Sequence, residues 1–83
     1  MDLLKTSEMM NSSDFKERFR AEYFQLKLRL EGLDKMLIGY KNGTLNFKPT
    51  CSYDLLKSQS RVMKIYLDIL KDRADIENIN LQE

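Results

Sequence analysis

An all-α fold is predicted: an antiparallel two-helix hairpin, coiled-coil-like, whose copies self-associate into a helical bundle. Three observations predict it. Phe19, Tyr23, Leu26, Leu30, Leu33, Leu37 and Tyr40 follow one another at steps of 4, 3, 4, 3, 4 and 3, an unbroken a/d seam. Residues 53–76 are apolar around an arc of about 200°, whereas an ordinary surface helix shows a stripe of about 100°. The linker between these stretches is short, so the two helices must be antiparallel neighbours.

The elements follow in order. Residues 1–11 carry Leu3, Leu4, Met9 and Met10 among polar neighbours. They are expected as a flexible or short helical arm, because chain ends fray unless something holds them. Residues 12–83 are expected as the single hairpin domain. Its first helix spans about 13–42, with Ser12 or Ser13 as N-cap and Asp14 and Glu17 complementing the positive end of the helix dipole. Gly43 supplies the left-handed residue that ends it. In the linker, 43–52, Leu45 and Phe47 alternate with polar residues and are expected to lie extended, plugging the open end of the hairpin. Pro49 disfavours helix at Lys48, and Thr50 or Ser52 caps the second helix, about 53–77. Beyond Ile76 the polar run ENINLQE is expected to fray.

On the second helix Leu55, Val62, Ile65, Ile69 and Ile76 share one strip, and Leu56, Met63, Tyr66, Leu67, Leu70 and Ala74 fill the sector beside it. A single companion helix covers only one of these sectors. The candidate oligomer face is therefore Val62, Ile65, Ile69 and Ile76. Ala21, Phe24 and Leu28 join it, since they lie opposite the first helix's seam and would face water on a lone hairpin.

Composition narrows the function. Eighty-three residues make one small domain, and a chain of that size buries only about 60–65% of its unfolded surface, so association is a common supplement. A net charge of +1 gives no bulk attraction for nucleic acid. No apolar run approaches the roughly 18 residues of a membrane span, and the acidic start MDLLKTSEMM does not resemble a secretion signal, so cytoplasm is expected and no membrane contact. The single cysteine, Cys51, excludes an intrachain disulfide and a cysteine metal cluster.

Catalytic equipment is missing as well. There is no histidine, no glycine-rich phosphate loop and no base beside Cys51, and Asp68, Asp72 and Asp75 belong to a solvated face. No catalytic, metal or cofactor residues are expected, and no enzyme. Gln59 and Arg73 fall inside the apolar arc, where an unpaired charge costs several kcal/mol. The antiparallel register sets Arg73 level with Glu22. Two readings stay open: a buried Glu22–Arg73 pair that fixes the register, or a cleft between subunits where Arg73, with Glu22, Gln59 and Tyr66, meets an anionic ligand. Lys16, Arg20 and Lys27 share one side of the first helix and are candidate anion-binding residues, with tyrosines available to stack on bases. The interleaved Glu17 and Glu31 favour a merely solvated face there.

The segments FKERF at 15–19 and Leu55, Leu56, Gln59, Met63, Tyr66, Leu67, Leu70 and Arg73 in the pattern LLxxQxxxMxxYLxxLxxR carry a resemblance over 12–81. The chain resembles short helical proteins encoded by tailed bacteriophages and prophages, related to small proteins of crAss-like phages. The resemblance implies a phage origin and a bacterial host cytoplasm, but no particular mechanism. By association with that class, many of whose small non-catalytic members work by stoichiometric binding to host defence components, a binding role is expected. The expected function is thus neutralisation of a bacterial antiviral component, either a signalling nucleotide or an effector protein. The alternatives are a nucleic-acid-binding accessory protein and a structural or assembly factor.

Overall fold

The computed structural model describes residues 1–83 and contains three α-helices and no strand: α1 (Leu3–Met10), α2 (Phe15–Asn42) and α3 (Tyr53–Glu77). The all-α class stands, with three helices where two long ones were anticipated. The molecule is elongated, 43 × 24 × 18 Å, and its radius of gyration of 14.9 Å exceeds the roughly 12 Å of a compact domain of this length.

α2 is the spine. α1 packs on it and α3 packs on it, while α1 and α3 do not touch each other. Asp2 starts α1 by accepting the Lys5 amide at 2.8 Å. α1 buries Thr6 and Met9, and the Thr6 hydroxyl donates to the Leu3 carbonyl at 2.7 Å, so its burial leaves no polar atom unmet. α1 and the two chain ends together cover the face of α2 opposite the seam, and Phe24 belongs to the core that Ile79 enters and Met1 and Leu81 pack against. Ala21 and Phe24 are fully buried and Leu28 half-buried within the single chain. Residues buried within one copy do not face water, so Ala21, Phe24 and Leu28 lack the exposure that an oligomer face requires.

The other face of α2 meets α3. Phe19, Tyr23, Leu26 and Leu30 join Leu67, Leu70 and Ala74 in one core, with Met63 packed against it. Polar pairs show the helices running in opposite directions: Tyr66 meets Glu22, whereas the earlier Ser60 meets the later Asp34.

The ends of the helices show which caps win. Asp14, rather than Ser12 or Ser13, caps α2, accepting the Lys16 amide at 3.0 Å. Ser12 instead accepts the Asp14 amide and donates to Glu17 at 2.9 Å, turning the chain between α1 and α2. Gly43 ends α2 at φ 71° with no Cβ to clash, and Ser52 caps α3, accepting the Leu55 amide at 3.2 Å. In the linker, Leu45 lies against Gly39, so close that a Cβ there would stand 2.8 Å from its Cδ2. Phe47 stays exposed, and the end of the molecule is closed instead by Tyr40, edge-on to Tyr53 with centroids 5.7 Å apart.

The polar tail does not simply fray. Asn78 ends α3 in the left-handed region at φ 56°, and the chain turns back so that the Ile79 amide donates to the Ala74 carbonyl at 2.9 Å. Ile79 enters the core and Leu81 packs against it.

Candidate functional site

Stacking α1 and α3 on different sides of α2 leaves a groove along each flank of the spine. The tail fills one. There the Lys16 ammonium donates to the Asn78 carbonyl at 3.3 Å and the Arg20 guanidinium to the Gln82 carbonyl at 2.8 Å. Arg20 also lies over the Phe24 ring, 5.6 Å from its centre. Two of the three cations considered for anion binding are thus engaged with the chain itself, and only Lys27 is left exposed and unpaired.

The second groove is open. It is a cleft of about 510 Å³ lined by Met10 of α1, Tyr66 of α3, and Arg18, Glu22, Gln25, Leu26 and Arg29 of α2. Arg18, Glu22, Gln25 and Arg29 recur at steps of 4, 3 and 4, each one residue before a member of the apolar seam. Helical geometry therefore rotates them together into one polar stripe beside the core. Arg18 and Arg29 stand roughly 16 Å apart along the helix axis, at 1.5 Å per residue. Glu22, between them, accepts the Tyr66 hydroxyl and so joins α2 to α3 across the cleft floor. Arg18 is steadied from below, donating to the Ser12 carbonyl at 2.8 Å, and Gln25 reaches the Met10 sulfur at 3.6 Å. Arg29 makes no such bond and is exposed. Two guanidinium groups against one carboxylate leave the cleft positive, with an aromatic edge at Tyr66.

Of the four residues singled out for a ligand or subunit contact, Glu22 and Tyr66 meet in this cleft, and Gln59 and Arg73 lie outside it. The Glu22–Arg73 pair does not form. Arg73 is half exposed on the flank of α3, its guanidinium 5.0 Å from the centre of the Phe19 ring and 3.5 Å from Glu77. A side chain in that position keeps its water and needs no buried counter-ion. Gln59 is exposed and reaches only the Met63 sulfur at 3.8 Å. The polar residue that does enter the α2–α3 contact is its neighbour Ser60.

Three cleft residues, Arg18, Gln25 and Arg29, were not anticipated. Their 4–3–4 spacing was available as a signal, but it is carried by polar residues rather than apolar ones. Elsewhere, no group of three His, Cys, Asp or Glu side chains is gathered closely enough to hold a metal ion. Cys51 is exposed in the linker. No helix is long and apolar enough to cross a membrane.

Fold and cleft together define a small all-α protein with a positive, tyrosine-edged groove on its central helix. The chain belongs to the Sequestin family, whose model matches residues 13–76. That span takes in α2, the linker and α3 as far as Ile76, and so includes every cleft residue except Met10. No curated protein and no solved structure matches the chain.

Proposed function

We propose that this is a non-enzymatic accessory protein of a phage or prophage that acts in the host cytoplasm by stoichiometric binding. Its target is an anionic signalling nucleotide of bacterial antiviral defence, held in the Arg18–Arg29 cleft and kept from its receptor. The observation that carries this reading is the open groove. Its twin is filled by the chain's own tail, whereas this one presents two guanidinium groups for phosphate and a tyrosine edge for a base. The family name, which speaks of sequestering, supports a holding role over a chemical one.

Calorimetric titration of the pure protein against cyclic and linear nucleotide messengers tests the proposal. One messenger should bind at a fixed stoichiometry and be recovered intact after heat release. A flat titration across the panel, or recovery of an altered nucleotide, would overturn the reading. A flat nucleotide panel with tight binding to a defence effector would move the target to a protein surface.

A further inference from the structure

We propose that the outer strip of α3 is the interface between two copies of this chain, paired antiparallel about a two-fold axis beside Ile65. The second half of the proposal, which rests on the cleft reading above, is that this pairing joins the two clefts into one site.

Exposure comes first. Leu55, Val62, Ile69 and Ile76 are spaced by sevens with Ile65 between, and these five residues are 51 to 81% exposed, while the opposite face of α3 is spent on α2. A heptad-spaced row of aliphatic residues is what one helix presents to another. No segment of the chain lies over it.

Charge decides the occupant and its direction. The first half of α3, residues 53–64, carries Lys57, Arg61 and Lys64 against Asp54, a net +2. The second half, residues 65–77, carries Asp68, Asp72, Asp75 and Glu77 against Lys71 and Arg73, a net −2. Parallel copies would set like halves together, and antiparallel copies set opposite ones together. A two-fold pairing also brings the same flank of each helix to its counterpart. At about 100° per residue, Arg61 and Asp68 lie on one flank of the strip. The register that seats Val62 on the partner's Ile69 and Leu55 on the partner's Ile76 places the partner's Asp68 two residues, about 3 Å along the axis, from the point opposite Arg61, within the span of the arginine side chain. The apolar match sets the axis between Ile65 and Tyr66, and the ionic match lies one residue from it.

The other flank carries Gln59, Tyr66 and Arg73, on the side where the cleft opens. The same axis therefore sets Tyr66 beside the partner's Tyr66 and Gln59 level with the partner's Arg73. Both clefts open on one side of the pair and adjoin along the two tyrosines, so each receives residues it lacks in a single copy.

The exposed Cys51 provides the readout. Spin-labelled there, the pair should give a dipolar distance of roughly 40–45 Å, from about 14 residues on each side of the axis at 1.5 Å apiece. A distance near the roughly 10 Å spacing of neighbouring parallel helices, or no dipolar signal at micromolar concentration, would overturn the pairing. Arg61→Asp alone should weaken dimerisation by about tenfold or more, and adding Asp68→Arg should restore it, as coupling between contacting charges requires. Failure of the double variant to recover would overturn the register. None of these measurements needs a ligand, so they stand or fall independently of the nucleotide proposal. Once a nucleotide is found, an Ile65→Arg variant shown to be folded and monomeric should bind it at least tenfold more weakly. Unchanged affinity in that monomer would overturn the joined site.

Discussion

The hydroxyl of Ser60 donates to Asp34 Oδ1 at 2.5 Å, the one side-chain bond that α3 buries against α2. Ser60 occupies the seam position between Leu56 and Met63, where another apolar residue would have let the helices slide by a turn. A buried hydroxyl with a single acceptor is met in one register only.

Asp34→Ala should therefore lower stability by about 1–3 kcal/mol, since it strands the buried hydroxyl. Ser60→Ala should cost less, because half-exposed Asp34 regains water. Urea unfolding with an unchanged m-value measures both.

Arg73→Ala should change stability by at most about 1 kcal/mol, because a half-exposed ion pair and a solvent-side cation–π contact are worth little. Thermal unfolding checks this. A loss of about 3–5 kcal/mol would instead signal the buried pair that the sequence suggested.

Two glycines should respond in opposite directions. Gly32, inside α2 with nothing within 4 Å of an added Cβ, should gain about 0.5–1 kcal/mol on change to alanine. Gly43→Ala should lose about 1 kcal/mol, since φ 71° strains any side chain. Denaturant midpoints of the two variants decide it.

Ile79→Ala should cost about 2–4 kcal/mol, more than an unstructured polar tail could explain. Because Ile79 underlies the carbonyls that hold Lys16 and Arg20, limited proteolysis should also cut the tail faster in that variant.

Arg18→Ala and Arg29→Ala should each weaken nucleotide binding by about 10- to 100-fold, the worth of a charge-assisted bond, and barely move the melting temperature. Calorimetry beside thermal unfolding separates the two effects.

Much of this architecture is legible in the sequence because regular spacing survives folding. The steps from Phe19 to Leu37 mark the buried seam, and Gly43 marks its end. What escaped was set by tertiary cover rather than by pattern. The scattered apolar positions of α1 and the polar composition of the tail give no sign that both fold back over the far face of α2, so Ala21 and Phe24 read in the sequence as a subunit contact. The angle of Arg73 around α3 does not report its depth, and its half exposure removes the need for Glu22. Arg18, Gln25 and Arg29 read as ordinary surface in the sequence, since charge at helical spacing looks the same over a groove as over open water.

α1 and α3 make no direct contact, but the chain ends tie them together: the Met1 ammonium lies 3.0 Å from Glu83, and Met1 packs against the core that Ile79 enters. Met10, at the last turn of α1, walls the cleft on the side away from Tyr66. The width of the opening is thus set by how α1 is seated on α2, and the ion pair between the two chain ends holds that seat.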